Sequence, residues 1–252
     1  MRLGAIALAL IAFASTTLAV RCLSRDEDQR RLRLMGVTQT LSALLLRILG
    51  ITVEVDGDLE SWSGKKRGTL FLANHVSYVD AILLHSLFPA VFITSREIET
   101  TPVLGWITRL VGCSYVERRR RTAVQQDVLT IASLLAKGFN VTLFPEATTS
   151  TGLSLLKFRS GLLEALRYSR AEVVPLCIKY QAIDGVSFTR DNCDLVAWYG
   201  DMEFFPHFMQ LLARRSITVR ISLLPRPTFR GHRCRKRLAV ATRDRIQACL
   251  ES

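Results

Sequence analysis

Short apolar runs recur along this chain, and a polar cluster or a segment of helical period follows each one. Ile51–Asp56, Thr69–Ala73, Val91–Thr94, Cys113–Val116, Asn140–Phe144, Val173–Tyr180 and Ile217–Leu224 are each four to eight residues long. That is the length of a buried strand, too short for a core helix. Between them lie helix-like segments. Tyr78–Leu87 is one, and Pro102–Leu110 is another, with proline at its first turn. Val124, Val128, Ile131 and Leu135 recur at helical spacing before Gly138, a C-cap. Phe158, Leu162 and Leu166 mark a further helix, and Leu238–Leu250 a terminal basic one. Strands alternating with helices predict an α/β fold, here a single domain with a mixed β-sheet flanked by helices. There is no repeat, low-complexity segment or clear linker. The reading is therefore one body over residues 51–252 preceded by a membrane-anchoring segment, 1–50.

That segment begins with Leu3–Val20, 18 residues without a charge between Arg2 and Arg21. The stretch is just long enough to span a bilayer. A cleaved signal peptide is the alternative, with Thr17-Leu18-Ala19 as a poor cleavage site. Arg21, Arg25, Arg30, Arg31 and Arg33 follow it, which places the body on the cytoplasmic side of the cell inner membrane. Leu41–Val53 is also apolar but carries Arg47. It reads as a helix lying in the membrane interface or as an ordinary core helix. The composition is 49% hydrophobic and 22% charged, which excludes both a disordered chain and a multi-span membrane protein.

The net charge of +12 points to nucleic acid or to anionic lipid headgroups. Residues 205–252 alone hold 11 Lys+Arg against 2 acidic residues. No nucleic-acid recognition module accompanies them, so anionic lipid or an acidic carrier protein is the expected partner and nucleic acid is not. The six cysteines form no CxxC or Cys/His cluster, which fits scattered thiols in a reducing compartment and no metal site.

Four features carry chemistry. Asn74-His75-Val76-Ser77-Tyr78-Val79-Asp80 directly follows the Thr69–Ala73 run. A histidine at a strand end can project into the crevice above an α/β sheet, and Asp80 can fix its tautomer so that the other nitrogen acts as a base. A five-residue offset puts side chains about 140° apart on a regular helix, so His75 must precede the helix start for the pair to meet. Phe144-Pro145-Glu146-Ala147-Thr148-Thr149-Ser150 again ends an apolar strand. A carboxylate followed by hydroxyls suits a polyol or polar headgroup, and the plainer reading is a turn with capping hydroxyls. Arg118 ends the Gly112–Val116 run and can hold a phosphate bidentately. Pro175 lies in the Val173–Ile178 run, and proline in a strand favours an edge or an end.

In this order the four resemble the lysophospholipid acyltransferase family, related to 1-acylglycerol-3-phosphate acyltransferase. The family pattern is NHxxxxD, a Gly-containing strand ending in Arg, FPEGTRS, then a Val/Ile-Pro strand. The likeness runs from about Thr69 to Tyr180. The resemblance implies a membrane enzyme that moves a fatty acyl group from acyl-ACP or acyl-CoA to a lysolipid hydroxyl, with no cofactor and no metal. It implies His75 as general base and Asp80 as its orienting partner. Asn74, Arg118, Glu146, Thr148, Thr149, Ser150 and Pro175 are then substrate-binding, with Glu146 on the polyol part and Arg118 on an anionic headgroup. Two departures stand out, Ala147 in place of Gly and Thr149 in place of Arg. The second removes a phosphate ligand. The Thr-Thr-Ser form and the segment around Trp198–His207 look more like the branch that acylates lyso-ornithine lipid.

Two other functions compete. A non-catalytic membrane-surface protein would keep the fold without the chemistry, and a hydrolase would use His75 to activate water. His207, in the aromatic segment Phe204–Phe208, reads as a packing residue or as lining an acyl channel, while His85 reads as structural and His232 as a basic-loop residue. The chain has no GxSxG, P-loop or GxGxxG motif.

Overall fold

The computed structural model describes residues 1–58, 68–117, 121–226 and 235–252, and the side chains of 121–123 lie outside that description. In chain order the elements are α1 (Arg2–Leu23), α2 (Glu27–Leu49), β1 (Ile51–Asp56), β2 (Thr69–Ala73), α3 (Val79–Leu87), β3 (Val91–Ser95), α4 (Arg96–Glu99), α5 (Leu104–Val111), β4 (Ser114–Val116), α6 (Arg121–Ala136), β5 (Val141–Leu143), α7 (Ala165–Ser169), β6 (Glu172–Ile183), β7 (Val186–Ser187), α8 (Phe204–Leu212), β8 (Ile217–Leu223) and α9 (Arg235–Glu251). The sheet order is β1-β8-β6-β2-β5-β3-β4, with β7 hairpinned onto β6. β6, β2, β5, β3 and β4 run parallel. β8 is antiparallel to β6 and parallel to β1, so the sheet is mixed.

β2 lies at the centre, and all five of its residues are buried. A strand covered on both faces needs an unbroken apolar run, which Thr69–Ala73 supplies. Its alternate residues separate into two cores. Phe71 and Ala73 join Val174, Leu176, Ile178, Leu83 and Leu84 on one face, together with Ile6, Leu46 and Leu49 of the N-terminal helices. Leu70 and Leu72 join Val141, Ile131, Leu135 and Ile246 on the other. The first core therefore runs across residue 50 and ties the N-terminal segment to the body.

α1 and α2 form a hairpin, and each is long and apolar enough to cross a membrane by length and composition. α1 nevertheless touches the body at both ends. Arg2 donates to the carbonyls of Leu212, Arg214 and Arg215, and Arg21 donates to the Arg109 carbonyl at 2.7 Å. Ile6, Phe13 and Thr17 face inward, while Leu8, Ile11 and Leu18 are exposed on the opposite side. The Leu41–Val53 stretch is not a separate interfacial helix. α2 starts at Asp26, whose carboxylate accepts from the Gln29 amide, and stops at Gly50. Gly50 has φ +73, and a Cβ there would come 2.4 Å from the Arg215 carbonyl oxygen, so glycine ends the helix and Ile51 opens a strand. Leu41, Leu46 and Leu49 are buried, as the core-helix alternative requires.

Two more expectations are corrected. The helix expected from Phe158, Leu162 and Leu166 forms only from Leu162, as a 3-10 turn over Leu162–Glu164 that runs into α7, and Phe158 stays outside it. The amide of Leu156 goes to Glu146 Oε2 and that of Arg159 to the Pro145 carbonyl, so the backbone donors of this stretch serve a loop instead of a helical ladder. Pro175 is neither at an edge nor at a strand end but inside β6, beside central β2 and paired with Leu72. Its carbonyl accepts from Leu224, one residue past the end of β8. The missing N–H would have pointed the same way, beyond the β6–β8 ladder, so the proline removes no ladder bond there.

Candidate active site

Parallel pairing of β2 with β6 ends at Ala73 and Leu176. Asn74 extends it with its side chain, its Nδ2 donating to the Ile178 carbonyl and its Oδ1 accepting from the Ile178 amide, both at 2.8 Å. This amide is buried and fully used by backbone, which makes Asn74 a brace between two strands. His75 comes next, at the C-terminal edge of the sheet, four positions before α3 begins at Val79. Because it precedes the helix, its ring turns toward Asp80 in the first turn, and Nδ1 lies 2.9 Å from Asp80 Oδ2.

Asp80 is held from four sides. Oδ2 also accepts from the amides of Val76 at 2.6 Å and Ser77 at 2.9 Å, and Oδ1 accepts from the Tyr180 hydroxyl at 2.7 Å. The carboxylate is 0% exposed, and the N-terminal end of α3 favours its charge. An ionised Asp80 can only accept, so His75 Nδ1 carries the proton and Nε2 presents its lone pair. The His75 side chain is 21% exposed, and Nε2 has no hydrogen-bond partner among the described residues.

The rest of His75 is gripped by the loop after β5. Its ring stacks on Phe144 with centroids 3.9 Å apart and planes 9° apart. Its amide donates to Glu146 Oε1 at 2.8 Å, and its carbonyl accepts from the Ser150 amide at 2.9 Å and from the Ser150 hydroxyl at 3.2 Å. Glu146 is buried and holds the Leu156 amide with its other oxygen at 2.8 Å. Burial pushes its carboxyl above the usual range, and the amides of Leu156 and His75 oppose that rise. Each carboxylate oxygen keeps a lone pair beyond the amide it holds.

Thr148 is exposed and Thr149 half-buried on the same loop, while Ser150 is buried. Ala147 stands where the family pattern has glycine, and it adopts φ +60. Arg118 lies outside the described residues. The structure thus joins Asn74, His75, Asp80, Glu146 and Ser150 in one network, puts Thr148 and Thr149 beside it, and sets Pro175 in the sheet below.

Sequence reasoning missed two supports, Tyr180 and Phe144. Burial and the charge of Asp80 raise the Tyr180 hydroxyl well above the usual phenol range, so it remains a donor. The signal for it was present: Val174, Leu176, Ile178 and Tyr180 share one strand face, and a hydroxyl on such an apolar face needs a buried acceptor. Beside the dyad, the Tyr78 hydroxyl lies 3.1 Å from His207 Nδ1, and its ring meets Trp198 and Phe204 edge-on. The Trp198 amide donates to the Val76 carbonyl, so an aromatic wall leans on the His75 loop.

A histidine with a free Nε2, oriented by a buried carboxylate at the mouth of an α/β sheet, defines a site that can take a proton from a hydroxyl and return it to a leaving group. The family model described as acyltransferase matches residues 51–179. The chain belongs to the acyltransferase family. The lyso-ornithine lipid O-acyltransferase of Rhizobium meliloti (strain 1021) is 32% identical over 210 residues, covering 81% of this chain and 70% of that one. The 1-acyl-sn-glycerol-3-phosphate acyltransferase of Neisseria meningitidis serogroup B is 29% identical over 157 residues, 62% of this chain and 59% of that one. The crystal structure of the 1-acyl-sn-glycerophosphate (LPA) acyltransferase PlsC from Thermotoga maritima shares the fold, with a TM-score of 0.66 at 18% identity over 100% of this chain and 97% of that one.

Proposed function

We propose that the protein transfers a fatty acyl group from the thioester of acyl-ACP or acyl-CoA to the hydroxyl of a lysolipid, with lyso-ornithine lipid as the acceptor. The observation that carries this reading is the His75–Asp80 pair with Nε2 open to the surface of the site. Nε2 removes the acceptor hydroxyl proton while the oxygen attacks the thioester carbonyl carbon. Asp80 stabilises the imidazolium. The C–S bond breaks, the imidazolium returns its proton to the thiolate, and an ester and a free thiol leave. No acyl-enzyme is required.

Glu146 and Ser150 hold the His75 backbone, and the remaining lone pairs of Glu146, with Thr148 and Thr149, meet the polar part of the acceptor. Arg118 takes an anionic headgroup group. Asn74 and Pro175 act through the strands they brace. Thr149 in place of Arg removes a phosphate ligand, which favours an acceptor with an amino-acid headgroup, and the name of the Rhizobium relative supports it. Lysophosphatidic acid is the second reading, on the likeness to the Neisseria enzyme.

α1 lies in the membrane interface along the body, since both of its ends bond to the body and its outer face carries Leu8, Ile11 and Leu18. The basic surface of the chain is drawn to the anionic cytoplasmic leaflet, which keeps the body on the cytoplasmic side of the inner membrane. The test is a membrane preparation supplied with acyl-ACP or acyl-CoA and a panel of lysolipids. His75→Ala is expected to lower the rate by about 10³-fold, within the range of general-base contributions. Equal rates for wild type and His75→Ala on every acceptor would sink the proposal.

A further inference from the structure

A basic hollow lies at the α1–α2 turn, at the far edge of the sheet from the dyad. β2 and β4 run the same way; His75 follows the end of β2, whereas Gly112 precedes β4. The hollow has a volume of about 420 Å³ and is lined by Arg21, Glu27, Arg30, Arg31, Leu34, Val111 and Gly112. Three guanidiniums face one carboxylate. Arg21 is fixed by its bond to the Arg109 carbonyl. Arg31 pairs with exposed Glu27 at 3.4 Å and lies 5.8 Å over the Phe139 ring. The half-buried Arg30 side chain has no hydrogen bond or ion pair among the described residues. An arginine that is partly withdrawn from water and unpaired, beside two others and an open cavity, calls for an anion. A Cβ at Gly112 would meet nothing within 4 Å, so that wall leaves room for one.

The surroundings name the anion's carrier. The exposed apolar face of α1 runs along Leu8, Ile11 and Leu18 to Leu23, beside Arg21. Acyl chains lie along such a stripe while a phosphodiester sits among the arginines. We propose that this hollow binds the headgroup of an anionic phospholipid, separately from the acyl-transfer site, and so fixes the α1–α2 hairpin on acidic membrane.

The test uses full-length protein purified in neutral detergent and stripped of lipid, titrated calorimetrically with short-chain phosphatidylglycerol below its critical micelle concentration. Short-chain phosphatidylcholine and inorganic phosphate are the comparison ligands. Phosphatidylglycerol is expected to bind at least about tenfold more tightly than phosphatidylcholine, and Arg30→Ala to weaken it about tenfold, as loss of one charge-assisted contact does. Arg30→Lys, which keeps the charge and loses the fork, should fall between them, and a melting curve confirms that each variant is folded. His75→Ala should bind as wild type does, so a failure of the acyl-transfer reading leaves this result intact. Equal binding of the two lipids, or undiminished binding by folded Arg30→Ala, overturns the proposal. Millimolar phosphate that abolishes lipid binding would assign the hollow to a free anion and overturn the lipid as its ligand.

Discussion

Tyr180→Phe isolates the support beneath the dyad. The phenyl ring remains, packed 5.7 Å from Phe188, and only the hydroxyl that donates to Asp80 Oδ1 is lost. Asp80 Oδ2 keeps three donors, but Oδ1, in a side chain 0% exposed, keeps none among the described residues. A hydrogen bond to a buried charge contributes about 1.5–3 kcal/mol, so folded stability should fall by roughly 2 kcal/mol. The carboxylate can then turn about its Oδ2 contacts, and its alignment with the imidazolium slackens. If most of the loss reaches the transition state, kcat drops about tenfold. KM should stay within about twofold, because Phe144, Glu146 and Ser150 still hold His75 in place. The hydroxyl of Tyr180 is raised above the phenol range by burial and by Asp80, so it donates throughout the working range, and the wild-type to variant ratio should not change between about pH 6 and about pH 9. The assay is acyl transfer at a temperature well below both melting points, with circular-dichroism melts alongside. A variant that loses the stability yet keeps kcat within twofold would show that Tyr180 serves packing alone.

Two further perturbations test the frame. Ala147→Gly relieves a left-handed residue at φ +60, a conformation costing an alanine about 1–2 kcal/mol, partly offset by the greater freedom of glycine in the unfolded chain. A net gain of about 0.5–1 kcal/mol should raise Tm by roughly 2 °C, and an unchanged or lowered Tm refutes the strain. His85 is buried against Phe92, and burial lowers its pKa from 6.5 to about 3. The unfolded chain therefore binds a proton that the folded chain refuses, so stability is full above about pH 6.5 and falls as pH drops toward about 3. At pH 5 the loss is about 2 kcal/mol, which urea titrations at pH 5 and pH 7.5 would read. His85→Phe should remove that share, and equal acid sensitivity of the two proteins would count against it.

The sequence revealed the strands through length and apolarity, and β1 and β2 fall on the expected residues because both are bounded by turn-forming polar stretches. The His75–Asp80 pair was legible for a geometric reason: the five-residue offset demanded a histidine ahead of its helix, and α3 starts at Val79. The ligatures around it were not. Asn74 bonds Ile178 and Tyr180 bonds Asp80 across about a hundred positions of chain, and no local pattern encodes such a partner. Glu146 reads as a free carboxylate in sequence, yet both of its oxygens already hold amides. The same bonds explain why the helix expected from Phe158 starts only at Leu162: Glu146 and Pro145 had taken the amides of Leu156 and Arg159. Periodicity describes how a segment would fold alone, and it fails where a loop takes that segment's backbone donors.

The order of motifs along the chain is also an order across the sheet. β2 brings His75 and leads into α3 with Asp80, β5 on one side leads to the loop of Glu146 and Ser150, and β6 on the other carries Tyr180, so the groups that fix the dyad lie on the central strand, its two neighbours or the segments directly after them. Such a base is held at several points by segments rooted in the central strands, and it needs little rearrangement during proton transfer. β4, which leads toward Arg118, lies beyond β5 and β3. At the usual strand spacing that is about 14 Å from β2. On the proposed reading this distance separates two tasks, proton transfer at the centre and headgroup recognition toward the edge. An acceptor that reacts at one hydroxyl and carries its polar headgroup some way off matches that layout. A change of headgroup preference should therefore come from the β4 end and from Thr148 and Thr149, while changes at Tyr180 or Asn74 should slow every acceptor alike.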